Sequence, residues 1–168
     1  LWYGAPNAEA IAWAAPNAIN VVSLGPAARA RAISDRYRAE WEKLGHSPAT
    51  LPKIGITRHI VVADTDAQAR RIADGAYRHW REAMEWIWRR SGVEFVLKDI
   101  YPTDFAALQD IGHGIAGSPA TVRDYLARLR DETGVNYVLC QMTFGDMKFA
   151  DASHSISLFG REVMPAFA

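Results

Sequence analysis

What this chain lacks sets its first limits. It has one cysteine, Cys140, which excludes an internal disulfide and fits a reducing, cytoplasmic compartment. Its 19 basic and 19 acidic side chains balance to a formal charge of zero. Nucleic-acid binding needs a basic face that releases counterions, and no such excess exists here. The basic runs Arg89-Arg90 and Arg128 to Arg130 are interrupted by acidic or apolar neighbours and read as solvated helix faces. No apolar run approaches the ~20 residues that cross a bilayer, and no stretch reads as a secretory signal. No cluster of His, Cys, Asp and Glu has metal-ligand spacing, so no metal is expected. Cys140 lies in an apolar run, where a buried, inert thiol is the expected state.

What is present is ordinary globular composition: 49% apolar and 23% charged over 168 residues, enough for one core and not obviously two. Residues 1 to 5 read as a strand ending in the turn Gly4-Ala5-Pro6-Asn7. Because that strand is already under way at Leu1, residue 1 is not expected to be the start of the gene product. Ala8 to Ala15 is helix-prone, and Ile19 to Leu24 reads as a second strand. Ala27 to Leu44 carries Ile33, Tyr37, Trp41 and Leu44 at steps of four, four and three, a helix stripe with Gly45 where a C-terminal glycine would sit. Ile54 to Ala63 is a β-branched strand. Asp64-Thr65-Asp66 then caps a helix from about Ala67 to Arg90, whose expected buried stripe is Ala69, Ile72, Ala73, Ala76, Trp80, Met84 and Ile87. The tryptophans Trp80, Trp86 and Trp88 exceed what one stripe needs, and the surplus is expected to face an inserted loop or another subunit. About 91–116 is the least regular part, with a short helix over Asp104 to Ile111. Gly117-Ser118-Pro119 opens a helix on Val122, Leu126 and Leu129. Asn136 to Gln141 is the last strand, and a helix from Ala150 to Phe159 follows. Four strands alternating with helices predict an α/β fold with a parallel sheet. Four strands cannot close an eight-unit barrel, so any such barrel would be present here as half.

The landmarks Trp2-Tyr-Gly-Ala5, Ala8-Glu-Ala-Ile-Ala-Trp-Ala-Ala15, Arg58-His-Ile-Val-Val-Ala-Asp-Thr65 leading into Asp66-Ala-Gln-Ala69, Ala116-Gly-Ser-Pro119 with Val122, and Phe144-Gly-Asp-Met147 running to Glu162-Val-Met-Pro165 stand in a fixed order. In that order the chain resembles the C-terminal half of the bacterial-luciferase-like flavin-dependent monooxygenases. The resemblance covers essentially all of residues 1–168. It implies strands five to eight of a (β/α)8 TIM barrel, with the late insertion at about 91–116. It implies reduced FMN, supplied by a partner flavin reductase, which reacts with O2 to oxygenate a small-molecule substrate. Alternatives are an F420-dependent oxidoreductase of the same fold, or a non-catalytic half-barrel or flavin-binding partner chain. The resemblance further implies a missing N-terminal half of the barrel, inactivity of this piece alone, and a homodimer, with the Trp80 to Trp88 helix as candidate contact.

Candidate site residues follow from the same comparison, each beside a plainer reading. Gly4, Ala5 and Asn7 would meet the flavin phosphate, because a small-residue turn opening a helix presents N–H groups to an anion. Asn7 stands where the family usually has Ser, Pro6 has no N–H, and the alternative is a plain βα turn. Arg58 and His59 are the catalytic candidates. Adjacent strand residues face opposite sides, so only one can point into a barrel. Thr57 stands where the sulfonate-cleaving branch of the family has an Arg. The plainer reading pairs Arg58 with an acid on an outer helix and packs His59 in the core. His79 and His113 read as surface or insertion residues. Gly145 would permit close approach to flavin or substrate, with Gln141 and Thr143 pointing inward, or else this loop makes no ligand contact. Ser118 opens a second helix start fit for an anion, which also reads as a simple cap.

Overall fold

The computed structural model describes residues 1–167; Ala168, the end of the expected half-barrel span, lies outside the described residues. The elements alternate as expected: β1 (Trp2–Gly4), α1 (Ile11–Ala14), β2 (Asn20–Ser23), α2 (Ala27–Lys43), β3 (Ile54–Val62), α3 (Asp66–Arg90), α4 (Phe105–Asp110), β4 (Gly114–Gly117), α5 (Pro119–Thr133), β5 (Tyr137–Gln141) and α6 (Phe149–Leu158). The chain divides into two compact units, and β3 and α5 contribute to both.

The first unit comprises Leu1–Arg58 with Leu126–Leu139. β1 runs parallel to β2 with Trp2 opposite Asn20, and β2 runs parallel to β3 with Val21 opposite Ile54. β5 also pairs with β3. Parallel neighbours need crossovers, and α1 and α2 supply them. Strands covered on both faces read as apolar runs: Val21, Ile54 and Ile56 are fully buried, about 2 kcal/mol of transfer free energy apiece. On α2, Ile33, Tyr37 and Trp41 are buried as their spacing predicts, whereas Leu44 is exposed beyond the helix end. The Tyr37 hydroxyl donates to the Ile19 carbonyl at 2.9 Å, which anchors α2 to the start of β2. Asn136 ties β5 to β3, accepting the Ile54 N–H at 2.6 Å and donating to the Pro52 carbonyl at 3.1 Å.

The second unit comprises His59–Tyr125 and the chain from Cys140 onward. Here the end of β3 pairs in parallel with β4, His59 opposite Gly114. This fifth strand corrects the expectation of four. It lies mostly inside the segment read as irregular, because Gly114-Ile-Ala-Gly117 is short and has a single β-branched residue. Gly114 is there for close approach: a Cβ would stand 2.9 Å from Leu108 Cδ2 and 3.2 Å from the His59 carbonyl oxygen. α3 starts at the Thr65 cap, whose hydroxyl accepts the Gln68 N–H at 3.2 Å. Its inner stripe holds Ala69, Ala73 and Ala76 as expected, but also Tyr77 and Arg81, while Ile87 is exposed. Of the three tryptophans, Trp80 and Trp88 pack against this unit's own core and Trp86 faces outward.

Candidate active site

β3 delivers Arg58 and His59 to adjacent positions, each 1% exposed. Alternation sends them to different surroundings. In the first unit, Arg58 donates from Nη1 to the Thr57 carbonyl at 2.8 Å and from Nη2 to the Gly25 carbonyl at 3.2 Å, just past the end of β2.

In the second unit, His59 stands inside a box of aromatic rings. Trp80 lies 4.7 Å from it between centroids, Phe144 4.9 Å, Tyr77 5.5 Å and Tyr101 5.9 Å, all edge-to-face. Among the described residues neither ring nitrogen has a hydrogen-bond partner. A buried polar group without a partner costs about 1–3 kcal/mol, so a native structure that keeps one invites a functional explanation. Burial, with a smaller contribution from the nearby His113, lowers the pKa of His59 from 6.5 to about 4. The imidazole is therefore neutral at pH 7, carrying one donor and one acceptor and no charge.

The box is assembled by tethers on the segment after α3. Tyr77 donates its hydroxyl to the Pro102 carbonyl at 2.9 Å, and burial raises its pKa well above the ordinary phenol value. Arg81 donates from Nε to the Tyr101 carbonyl at 2.7 Å, pairs with Glu85 at 2.8 Å and lies 4.0 Å over the Phe95 ring. His113 Nδ1 lies 2.9 Å from the Ile100 carbonyl. Consecutive carbonyls from Ile100 to Pro102 are thus each held by a side chain, and this sets Tyr101 against His59. Sequence reasoning offered Phe144 only within the loop motif that carries Gly145, did not offer Tyr77, Trp80 or Tyr101 as site candidates, and read His113 as a surface or insertion residue. His113 is 3% exposed. The available signal was Tyr77 and Arg81, one turn apart on the buried side of α3, a phenol and a guanidinium that need carbonyl partners.

Gly145 has φ +59°, and a Cβ there would overlap the Ala76 carbonyl of α3. The close approach expected of this glycine is made to a helix backbone, and it seats the loop that carries Phe144. Thr143 is exposed, whereas Gln141 Oε1 is buried and has no hydrogen-bond partner among the described residues. The Ser118 helix start is occupied from within: Asp66 accepts the Ser118 N–H at 2.7 Å and the Thr121 hydroxyl at 2.9 Å. The Ser118 hydrogen bond is the main cause that lowers the Asp66 pKa. An internal carboxylate fills the place an external anion would take.

At the first turn, Gly4 and Asn7 are exposed and Ala5 is buried. The Ala5 N–H donates to the Val22 carbonyl at 2.9 Å, and Asn7 Oδ1 accepts the Ala10 N–H at 3.2 Å. Ala5 is thus committed to the β1–β2 ladder. The Asn7 side-chain NH2 and the N–H groups of Asn7, Ala8 and Glu9 stand outside these bonds. The Cys140 thiol is pushed up to about 11 by burial, the state of an inert side chain. Among the described residues no group of His, Cys, Asp and Glu could hold a metal ion, and no helix is long and apolar enough to cross a membrane.

The chain matches a luciferase-like monooxygenase family profile over residues 1–137. An uncharacterized protein, y4wF, of Sinorhizobium fredii is 28% identical over 163 residues, covering 97% of this chain and 47% of that protein. Among solved structures, the oxygenating constituent of 3,6-diketocamphane monooxygenase from Pseudomonas putida, a type II Baeyer-Villiger monooxygenase in complex with FMN, superposes with a TM-score of 0.72 at 23% identity. That match covers 99% of this chain and 48% of the other. The coenzyme F420-dependent tetrahydromethanopterin reductase of Methanopyrus kandleri superposes with a TM-score of 0.62 at 17% identity, covering 99% and 50%. The chain therefore spans about half the length of the proteins it matches. The structural likenesses confirm an α/β fold with a parallel sheet, and the match over residues 1–137 shows that this chain belongs to the luciferase-like monooxygenase family.

Proposed function

We propose that this chain is the C-terminal half of a flavin-dependent monooxygenase, with β1, β2, β3 and β5 as the fifth to eighth strands of a (β/α)8 barrel. β4 would then be an addition from the late insertion. The pairing of β5 with β3 supports this reading, as does the restriction of β4 to the last four residues of β3. The N-terminal half would come from elsewhere in the same protein, and residues 1–168 by themselves would be inactive. A separate reductase would supply reduced flavin, and the compartment would be the cytoplasm.

The observation that carries the reading is the unpartnered His59 in its ring box. Reduced FMN with O2 supplies oxidising chemistry when bound; the first unit carries a turn whose N–H groups suit a phosphate, and the second unit carries a neutral imidazole. The turn from Gly4 to Asn7 would hold the phosphate through the Asn7 side-chain NH2 and the N–H groups that follow it. Ala5 would shape that turn, its own N–H being committed. His59 would hold or pass a single proton at a ring nitrogen, on an uncharged oxygen of a small organic substrate. A neutral imidazole suits that role better than pairing with an anion. The rings of Trp80, Tyr101 and Phe144 would keep water away from it. Arg58 would act by positioning, bracing β3 against the Gly25 carbonyl. Gly145 would serve the site by seating Phe144.

A second reading, F420-dependent hydride transfer, is favoured by the likeness to the Methanopyrus reductase. Fluorescence titration of the protein at its full encoded length separates the two. Saturable FMN binding, weakened about tenfold in Asn7→Asp with riboflavin affinity unchanged, is the expected result. Asp keeps the Ala10 cap but loses the donor and repels phosphate. Binding of F420 alone would install the second reading, and binding of neither would reduce the chain to a non-catalytic partner.

A further inference from the structure

The last residue of β5 carries a polar group to which the site has so far given no role. Gln141 is only partly buried as a residue, yet its Oε1 is closed to solvent and accepts no hydrogen bond among the described residues. A desolvated carbonyl without a donor is unfavourable, and an apolar side chain of the same length would avoid that cost. β5 pairs with β3. A Cβ on Gly55 of β3 would stand 2.9 Å from Leu139 Cδ1, so Gly55 and Leu139 share one face of the sheet. Side chains alternate along strands, so the same face carries His59 and Gln141. Just past Gln141, the Phe144 ring meets the His59 imidazole at 4.9 Å. His59, Gln141 and Phe144 all belong to the second unit. Its sheet face thus holds two side chains whose buried polar atoms have no hydrogen-bond partner among the described residues.

The chemistry of the amide states what would pair with it. A Gln side chain is planar and uncharged, with an acceptor and a donor side by side. Its complement is another amide edge, an N–H beside a carbonyl, met through two parallel hydrogen bonds as Gln meets the edge of a nucleobase. A carboxylate would repel the carbonyl, and a hydrocarbon would leave it unpaired. The flavin ring carries such an edge, its N3–H lying between two carbonyls. We propose that Gln141 recognises this imide edge of a bound flavin, Oε1 accepting from N3–H and Nε2 donating to an adjoining carbonyl. The terminal torsion of Gln is soft and roughly two-fold, so the amide turns to present that edge. The inference rests on the flavin reading and adds to it a residue that selects the ring of the cofactor.

Fluorescence titration of the protein at its full encoded length with FMN and with N3-methyl FMN, which has no hydrogen on N3, tests it. Wild type should bind FMN about tenfold more tightly than the methylated flavin. In Gln141→Met, of similar length and without the amide, FMN binding should weaken about tenfold and the preference should vanish. The wild-type comparison needs no variant, so a poorly folding Gln141→Met would not hide the result. Wild type that binds the two flavins alike would overturn the proposal. So would a preference that persists undiminished in Gln141→Met. Wild type that binds no flavin would overturn the flavin reading itself, and this contact with it.

Discussion

The imidazole of His59 meets the Trp80 indole edge to face, with ring centres 4.7 Å apart and planes at 69°. Neither imidazole nitrogen has a hydrogen-bond partner among the described residues. A side chain kept there for chemistry should cost stability. We expect His59→Leu, close in volume and free of polar atoms, to leave the melting temperature unchanged or raised, while turnover of the full-length enzyme falls about 100-fold or more. Differential scanning calorimetry and a turnover assay check the two halves. A variant markedly less stable than wild type would show that the imidazole is structural.

The same residue predicts a pH window. Its folded pKa, about 4, lies below the unfolded 6.5, so between those values the unfolded chain binds more protons. Stability should therefore rise with pH across that window and fall as pH drops from 6.5 toward 4, by up to about 3 kcal/mol. Denaturant titrations of wild type and His59→Leu at both ends of the window should differ by this term, with the flatter profile in the variant.

Asp66 caps the start of α5 from the first turn of α3, accepting the Ser118 N–H and the Thr121 hydroxyl. Its folded pKa is depressed, so the stability it contributes is present above the ordinary carboxylate pKa and is lost as pH falls through the lower folded value. The group is partly exposed, with a side-chain accessibility of 38%, and solvent screening keeps the effect small. Asp66→Ala should cost about 1 kcal/mol at pH 7, read from denaturant midpoints.

Gly145→Ala should be among the most damaging single changes. It requires a left-handed backbone from a residue with a Cβ and drives that atom into the Ala76 carbonyl. The expected loss is about 3 kcal/mol. Reduced flavin affinity without loss of stability would instead assign the glycine to the ligand.

Arg81 links α3 to the Tyr101 carbonyl and to Phe95. Arg81→Met keeps much of the stem but orphans that carbonyl. It should cost about 2 kcal/mol and speed amide exchange over residues 97–104, as hydrogen–deuterium exchange would show.

Most of the fold was legible from local pattern. α2, β3 and α3 lie within a residue of the spans that their periodicity and caps predict, because a long amphipathic helix or a β-branched run carries its own signal in every turn. β4 was not legible. Four residues, two of them glycine, become a strand only because the end of β3 lies beside them and leaves no room for a Cβ at Gly114. The site divides in the same way. His59 could be named from its place near the end of β3 in a familiar order of landmarks. Its ring box could not, since Tyr77, Trp80, Tyr101 and Phe144 are separated by up to 67 positions and meet only when Tyr77 and Arg81 capture the carbonyls after α3.

By itself, then, the sequence determined the alternation of strand and helix and the family, both of which rest on short-range pattern and composition. Only the tertiary structure decided that His59 is neutral and unpartnered, that Gly145 presses on a helix, and that the anion place at Ser118 is filled by Asp66. Desolvation, close approach and long-range hydrogen bonds are properties of which segments meet, and neighbours along the chain do not specify them.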